Sequence, residues 1–467
     1  MEITVTGNKN KLSFGPKLAI GVGATANNLM QNAINNMANP VLNIFLGVNP
    51  VLISIAIFIA RLWDAFTDPV MGSISDNTRT RFGRRRPYIF LGGLLGAVVF
   101  NILWRFPSGL SEMGYFWWFL GWSIVFYTCY TIYIVPFDAL SYEATSDYHD
   151  RTRVMVFKSI FGGVAGISMA WMYKITQWDC FENTLDGMQT VAIWTGVVLI
   201  AVTAIPAIFV KERSAVKVKR QEKVSLVLSI RETLQEREFR LLILAVLSCC
   251  LGLFMVGPLG AYVTIYHVYD GDQKAAAALI GVASTVYALS SLLAAPVVGL
   301  VSSRFGKKRT LLGGLALAFV GVGSKYFTYN PHYPYMQLIS MLLMAPGLSC
   351  LWVLSPSMTA DICDLDELST STRREGMFSA IYGYTMKVGV SLGILLTGVL
   401  LNASGFDATL GNHQPENTIQ ILRVCYGIIP SVGVAIGMIL LSRYSLTGER
   451  IASVQRQIKE RQIGKDV

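Results

Sequence analysis

Charge is scarce in this sequence. Only 15% of its 467 residues are Asp, Glu, Lys or Arg, against 53% hydrophobic, and the mean hydropathy is +0.48. That balance argues against an ordinary soluble domain and for a chain that crosses a membrane many times. Patterned cysteine is lacking: the seven thiols, at 129, 180, 249, 250, 350, 363 and 425, are odd in number and follow no ligand spacing. This argues against a disulfide framework or a zinc site, and most are expected as small core residues. Residues 1–15 hold no apolar core, so no cleavable signal peptide is expected and the first span serves as the insertion signal. No Walker A motif occurs: Gly306-Lys307 is followed by Lys308, and Gly464-Lys465 by Asp466. Direct ATP drive is therefore not expected. Nor is there a nucleophile–base or metal-ligand constellation, so neither an enzyme nor a bound cofactor is expected.

What is present is long apolar runs. A helix needs about twenty apolar residues to cross a bilayer. Windows of that size fall at 17–37, 51–74, 88–106, 113–142, 156–177, 191–210, 239–268, 275–301, 310–327, 336–362, 378–401 and 419–441. The expected fold is an all-α membrane protein of twelve transmembrane helices. The net charge of +10 sits in short segments between spans: Arg79 to Arg86, Arg151 and Arg153, the linker after 210, Arg304 to Arg309, and Arg373 with Arg374. Residues 38–50 carry no charge. Positive charge in alternate loops places both termini in the cytoplasm. No nucleic-acid motif accompanies the basic residues, so membrane lipid rather than nucleic acid is the expected surroundings.

The chain repeats once. Gly72-xxx-Asp76 followed by Arg81-Phe-Gly-Arg-Arg-Arg86 is echoed by Gly299 followed by Arg304-Phe-Gly-Lys-Lys-Arg309, and Leu-Gly-Gly-Leu recurs at 91–94 and 312–315. The two echoes occupy the same place in two blocks of six spans, the layout of parallel-repeat carriers with a central site between halves. The expected division is a first bundle at 1–210, a linker at 211–237, a second bundle at 238–445 and a basic tail at 446–467. In the linker, Val224, Leu226, Leu228, Ile230 and Leu234 alternate with charges, as an interfacial amphipathic helix or a solvated connector would.

Within the second span stands Arg61-Leu-Trp-Asp64-Ala-Phe-Thr67-Asp68-Pro69. Ionisable groups at bilayer depth are costly and mark ion or substrate pathways. Asp64 and Asp68 are i and i+4, so they share a helix face, and Arg61 joins them. Two desolvated carboxylates this close raise each other's proton affinity and should capture a proton or a small metal ion. Thr67 adds a hydroxyl, and all-oxygen ligands suit a hard cation such as sodium. A structural Arg–Asp cluster joining helices is the competing reading.

The first span carries Asn27, Asn28, Gln31, Asn32, Asn35 and Asn36. Asn28, Gln31 and Asn32 share a face, and amides offer donors and acceptors without charge, which suits a hydroxyl-rich ligand. Interhelical bonding alone would need fewer of them. Lys387 lies inside the eleventh span and needs an anion, a carbonyl or water. Asp138 follows Pro136 near the end of span four, as either a cavity carboxylate or a helix-end charge. Trp63, Tyr130, Tyr133 and Trp352 offer faces that could stack on sugar rings, although aromatics are also common bundle packing. In the loops, Asp76, Glu143, Asp361, Asp364 and Glu367 lie near Arg84, Arg85, Arg86, Arg153 and Arg374. Such pairs could gate a rocking carrier or form a solvated fringe.

On these residues the sequence resembles the glycoside–pentoside–hexuronide:cation symporters of the major facilitator superfamily, typified by melibiose permease. The resemblance runs from about Lys17 to Leu441. It rests on Arg61-Leu-Trp-Asp-Ala-Phe-Thr-Asp-Pro-Val-Met-Gly72, Tyr130-Thr-Ile with Pro136-Phe137, Trp352-Val-Leu with Ala360-Asp-Ile-Cys-Asp-Leu-Asp-Glu367, and Met386-Lys387-Val-Gly. It implies the major facilitator fold in a cell membrane, most often as a monomer. It implies a cation site of Asp64, Thr67, Asp68 and Thr131, sugar contacts at Tyr130, Trp352 and Lys387, and Arg61 supporting the carboxylates. It also implies uptake of a glycoside or related sugar with Na⁺ or H⁺. The chain departs from the family where a Lys-Asp pair of the first helix is replaced by Asn27-Asn28 and a fourth-helix aspartate by Ile134. These changes point away from α-galactosides, toward a neutral glycoside on the Asn face or an anionic sugar on Lys387. A proton-coupled carrier of a non-sugar solute and a non-transporting membrane sensor are the alternatives.

Overall fold

A backbone crossing hydrocarbon must satisfy its own N–H and C=O groups, and a helix does so within one segment. In the computed structural model the described residues (12–144, 148–210, 212, 233–370 and 375–463) are overwhelmingly helical. The chain divides into two units, Met1–Lys219 and Arg220–Val467.

Unit 1 contains α1 (Phe14–Ala38), α2 (Pro50–Asn77), α3 (Arg86–Leu103), α4 (Glu112–Glu143), α5 (Tyr148–Thr176) and α6 (Thr184–Phe209). Unit 2 contains α7 (Arg237–Val256), α8 (Gln273–Phe305), α9 (Lys307–Thr328), α10 (Gln337–Thr370), α11 (Glu375–Ala403), α12 (Glu416–Ser442) and a terminal α13 (Gly448–Ile463). Short polar side chains start several of them. Asn49 Oδ1 accepts from Val51 N just before Pro50 of α2, and Ser111 Oγ accepts from Gly114 N at the head of α4.

Eleven stretches of the described chain are long and apolar enough to cross a membrane. The first window, expected to span, is absent from that set although α1 has 25 residues. Its amides lower the hydropathy. It is nevertheless packed against α5 and α6, and its buried residues include Ala26, Leu29, Met30, Ala33 and Ile34, while the amides are half-buried or exposed.

The sequence repeat is a repeat of packing. In unit 1 the pairs α1–α5, α1–α6, α2–α4, α3–α4 and α3–α6 pack together. In unit 2 the pairs six helices later pack: α7–α11, α7–α12, α8–α10, α9–α10 and α9–α12. The Leu-Gly-Gly-Leu echo serves these crossings. A Cβ on Gly92 of α3 would stand 2.6 Å from Tyr133 N of α4, and one on Gly314 of α9 would stand 2.5 Å from Cys350 Sγ of α10. Glycine lets the backbones approach.

Of the linker, residue 211 and residues 213–232 lie outside the described part, and with them most of the amphipathic pattern. Leu234 packs on the core of unit 2. The tail is helical over Gly448–Ile463. Five of the thiols are buried, Cys425 is half-buried and Cys180 is exposed.

Candidate functional site

The acidic stretch of α2 meets α4. Asp64 is 2% exposed. Thr131 Oγ1, on α4, donates to Asp64 Oδ1 at 2.9 Å. The Thr67 and Thr131 hydroxyls lie 3.1 Å apart, and Thr67 Oγ1 also donates to the Asp64 carbonyl at 3.1 Å. Asp68 is half-buried one turn further along, followed by Pro69 inside the helix. Proline has no N–H, so the Ala65 carbonyl loses its usual partner beside the carboxylates. A carboxylate and two hydroxyls thus meet from two helices, with the second carboxylate one turn along α2, oxygen groups of the kind that hold a hard cation. Arg61 Nη2 donates to the Gln31 carbonyl of α1 at 2.8 Å, and its guanidinium stands 5.4 Å from the Tyr127 ring centre.

The amides of α1 bond mostly along their own helix. Asn32 Nδ2 donates to Asn28 Oδ1 at 3.2 Å, and Asn35 Nδ2 to the Gln31 carbonyl at 3.1 Å. Across to α4, Tyr130 donates to Asn27 Oδ1 at 2.9 Å. Tyr130 also lies within electrostatic reach of Arg61, Asp64 and Asp68. The structure therefore joins the amide stripe and the acidic stretch through Arg61 and Tyr130.

Other expected residues have other company. Asp138 pairs with Lys158 Nζ of α5 at 2.6 Å. Lys158 went unnoticed in the sequence, where a base near the start of the apolar window 156–177 was the available signal. Tyr133 is fully buried, stacks on Phe137 with centroids 5.3 Å apart, and donates to the Gly23 carbonyl. Its ring is spent on packing, not on a ligand. Trp63 Nε1 donates to Thr128 Oγ1 at 2.9 Å. In unit 2, Trp352 is half-buried beside Tyr287, and Lys387 is half-buried on α11, which packs on α7.

The loop charges pair inside their own units. Arg84 and Arg85 meet Glu143 at 3.0 and 2.6 Å, and Lys307 meets Asp361 at 2.6 Å. Arg86 Nη2 closes the end of α6 on the Ile208 carbonyl, as Lys308 Nζ closes α12 on the Ser442 carbonyl, both at 2.8 Å. Glu212, unremarked in the sequence, accepts the backbone N–H groups of Arg84, Arg85 and Arg86 at 2.8, 2.7 and 3.1 Å. These contacts brace the ends of the helices. Arg153 is exposed and Asp364 half-buried. Arg374 and the side chain of Asp76 lie outside the described residues.

The profile of the MFS/sugar transport protein family matches residues 19–448. The chain belongs to that family. A multi-pass membrane transporter of the major facilitator superfamily, rather than an enzyme, is what its helices build. Among its relatives is a glucuronide carrier protein homolog of Escherichia coli, 22% identical and matched over 89% of both chains. A sodium-dependent lysophosphatidylcholine symporter of Mus musculus is 23% identical over 95% of this chain and 87% of its own. The solved D-xylose–proton symporter shares the fold, with a TM-score of 0.62 at 14% identity over 93% of this chain and 98% of that one. The family match, with sugar-carrier relatives such as the glucuronide carrier homolog, puts this chain among the glycoside–pentoside–hexuronide:cation symporters, and so among secondary sugar transporters.

Proposed function

We propose that this transporter takes up a glycoside or related sugar together with sodium, by alternating access through twelve spans, with α1 as the twelfth and both termini in the cytoplasm. The observation that carries the coupling is the bond from Thr131 to Asp64. It ties an ion-holding carboxylate on α2 to a hydroxyl on α4, next to Tyr130. In the proposed site a sodium ion sits among Asp64, Thr67, Asp68 and Thr131. On its entry the Thr131 hydroxyl turns its lone pairs to the ion and frees the carboxylate to do the same. In unit 1 the amides of Asn28, Gln31 and Asn32, with Tyr130, recognise the sugar; in unit 2 Trp352 and Lys387 are the proposed sugar-contacting residues. Asp138 contributes only where Lys158 releases it. Ion and sugar then tighten each other reciprocally.

The test is uptake into vesicles of a panel of neutral glycosides and glucuronides, with sodium, with a proton gradient, and with neither. Sodium-stimulated uptake that Asp68→Asn abolishes supports the reading; normal accumulation by that variant sinks it. A second reading, a lysophospholipid cargo, is favoured by the similarity to the sodium-dependent lysophosphatidylcholine symporter. Sodium-stimulated uptake of lysophosphatidylcholine with no glycoside transported would select it.

A further inference from the structure

Where α9 packs on α12, a groove of about 340 Å³ opens on unit 2. Its walls include Phe319, Gly323 and Tyr326 of α9 and Gly427, Ile428 and Val432 of α12. Phe319, Ile428 and Val432 are exposed. The two glycines leave space between them. A Cβ on Gly323 would come no nearer than 3.5 Å to Ser431 Oγ, and one on Gly427 no nearer than 3.6 Å to Tyr326. Ser431 turns its hydroxyl back to the Gly427 carbonyl at 2.7 Å and offers the groove no donor.

The matching crossing of unit 1, α3 with α6, is closed. There Asn101 Nδ2 donates to the Ala192 carbonyl of α6 at 3.1 Å, and a Cβ on Gly196 would stand 2.6 Å from that nitrogen. On the register of the Leu-Gly-Gly-Leu echo, Val322 stands in place of Asn101. The opening is therefore a property of these residues and not of the repeat.

One end of the groove is basic. Arg423 lies four residues before Gly427 and so on the same face of α12. Its guanidinium stands 4.9 Å from the ring centre of Tyr326. It donates to Gln420 Oε1 at 3.1 Å and to the Tyr326 carbonyl at 3.2 Å, while its Nε is buried without a partner among the described residues. Lys325, beside Tyr326, is 5% exposed, with its ammonium 4.0 Å from the Tyr426 ring centre. Neither cation has a carboxylate partner among the described residues. Charge left unbalanced in a spanning helix calls for an anion. The 27 residues of α12 measure about 40 Å, against about 30 Å of hydrocarbon. Arg423 comes seven residues after Glu416, about 10 Å along, within reach of the headgroup layer.

We propose that this groove holds an anionic phospholipid, with an acyl chain between α9 and α12 and its phosphate on Arg423. A guanidinium pairs strongly with phosphate, and Lys325 adds to the attraction. A zwitterionic headgroup brings its own cation toward two others and is disfavoured. The site is independent of the cargo proposed above.

The experiment uses the purified full chain in lipid nanodiscs containing phosphatidylglycerol or phosphatidylcholine with a photoactivatable diazirine in the acyl chain. Adducts at Ile428 and Val432 are counted against those at Val197, an exposed residue of α6. In the parent, phosphatidylglycerol should raise this ratio about fivefold over phosphatidylcholine, the preference that one basic residue gives an anionic headgroup. Arg423→Gln should remove the preference, and Gly427→Leu, or Gly323→Leu if that variant fails to fold, should remove the groove adducts of both lipids. Equal ratios for the two lipids in the parent overturn the proposal, as does a preference that survives Arg423→Gln or the filling of the groove. The readout is binding, so a chain that takes up no glycoside leaves it intact.

Discussion

Thr131 and Asp64 lie 67 positions apart and share a hydrogen bond of 2.9 Å. The bond crosses from α4 to α2, and Tyr130 is the neighbour of Thr131 along α4. Replacing Thr131 by valine keeps the shape and removes the oxygen. The sodium concentration for half-maximal uptake should then rise about tenfold, the equivalent of one hydrogen bond of about 1.4 kcal/mol. Thr131→Ser should stay near the parent. A sodium titration of uptake by both variants measures this, and an unchanged value for Thr131→Val would take Thr131 out of the ion site.

Asp138 and Lys158 form a partly buried pair at 2.6 Å. Breaking it from one side strands a charge, so Lys158→Met or Asp138→Asn alone should destabilise more than both together. A double-mutant cycle on melting of the purified protein should show a coupling of about 1–2 kcal/mol. Strict additivity would mean that the contact contributes nothing to folding.

Tyr444 follows α12 with its hydroxyl buried and unbonded among the described residues. Burial raises its pKa, and the nearby Asp361, Glu238 and Glu236 carboxylates raise it further. The folded chain therefore keeps the phenol proton where the unfolded chain releases it. The stability tied to this group is complete below the unfolded value of about 10 and drains away as pH rises above it. Tyr444→Phe should melt at or above the parent temperature at pH 7 and lose less stability between about pH 9.5 and 11. Parallel curves for the two proteins would refute this.

Gly92 and Gly163 separate close approach from mere small size. A Cβ at Gly92 meets the α4 backbone at 2.6 Å, while one at Gly163 meets nothing within 4 Å. Gly92→Ala should cost about 1–3 kcal/mol or the folded yield, and Gly163→Ala should be neutral. Equal yields and melting temperatures would show that α3 and α4 tolerate a wider crossing.

Much of this architecture follows from local pattern. Apolar length sets spanning helices because hydrocarbon offers the backbone no partner. The recurrence of Arg-Phe-Gly and Leu-Gly-Gly-Leu marks the two halves because equal crossings need equal small residues. The Asp64–Asp68 spacing puts two carboxylates on one face because a helix turns every 3.6 residues.

What pattern could not settle is which distant residue answers which. Asp138 reads as a possible cavity acid until α5 brings Lys158 to it. Tyr133 reads as a possible sugar platform until Phe137 covers its ring. Arg84 and Asp361 read as loop charges of a gate or of a solvated fringe, and packing names the counter-charge of each, Glu143 and Lys307. Periodicity along one helix is a property of the chain. Desolvation and hydrogen-bond satisfaction depend on neighbours from elsewhere in the sequence, and those are decided only by the packed structure.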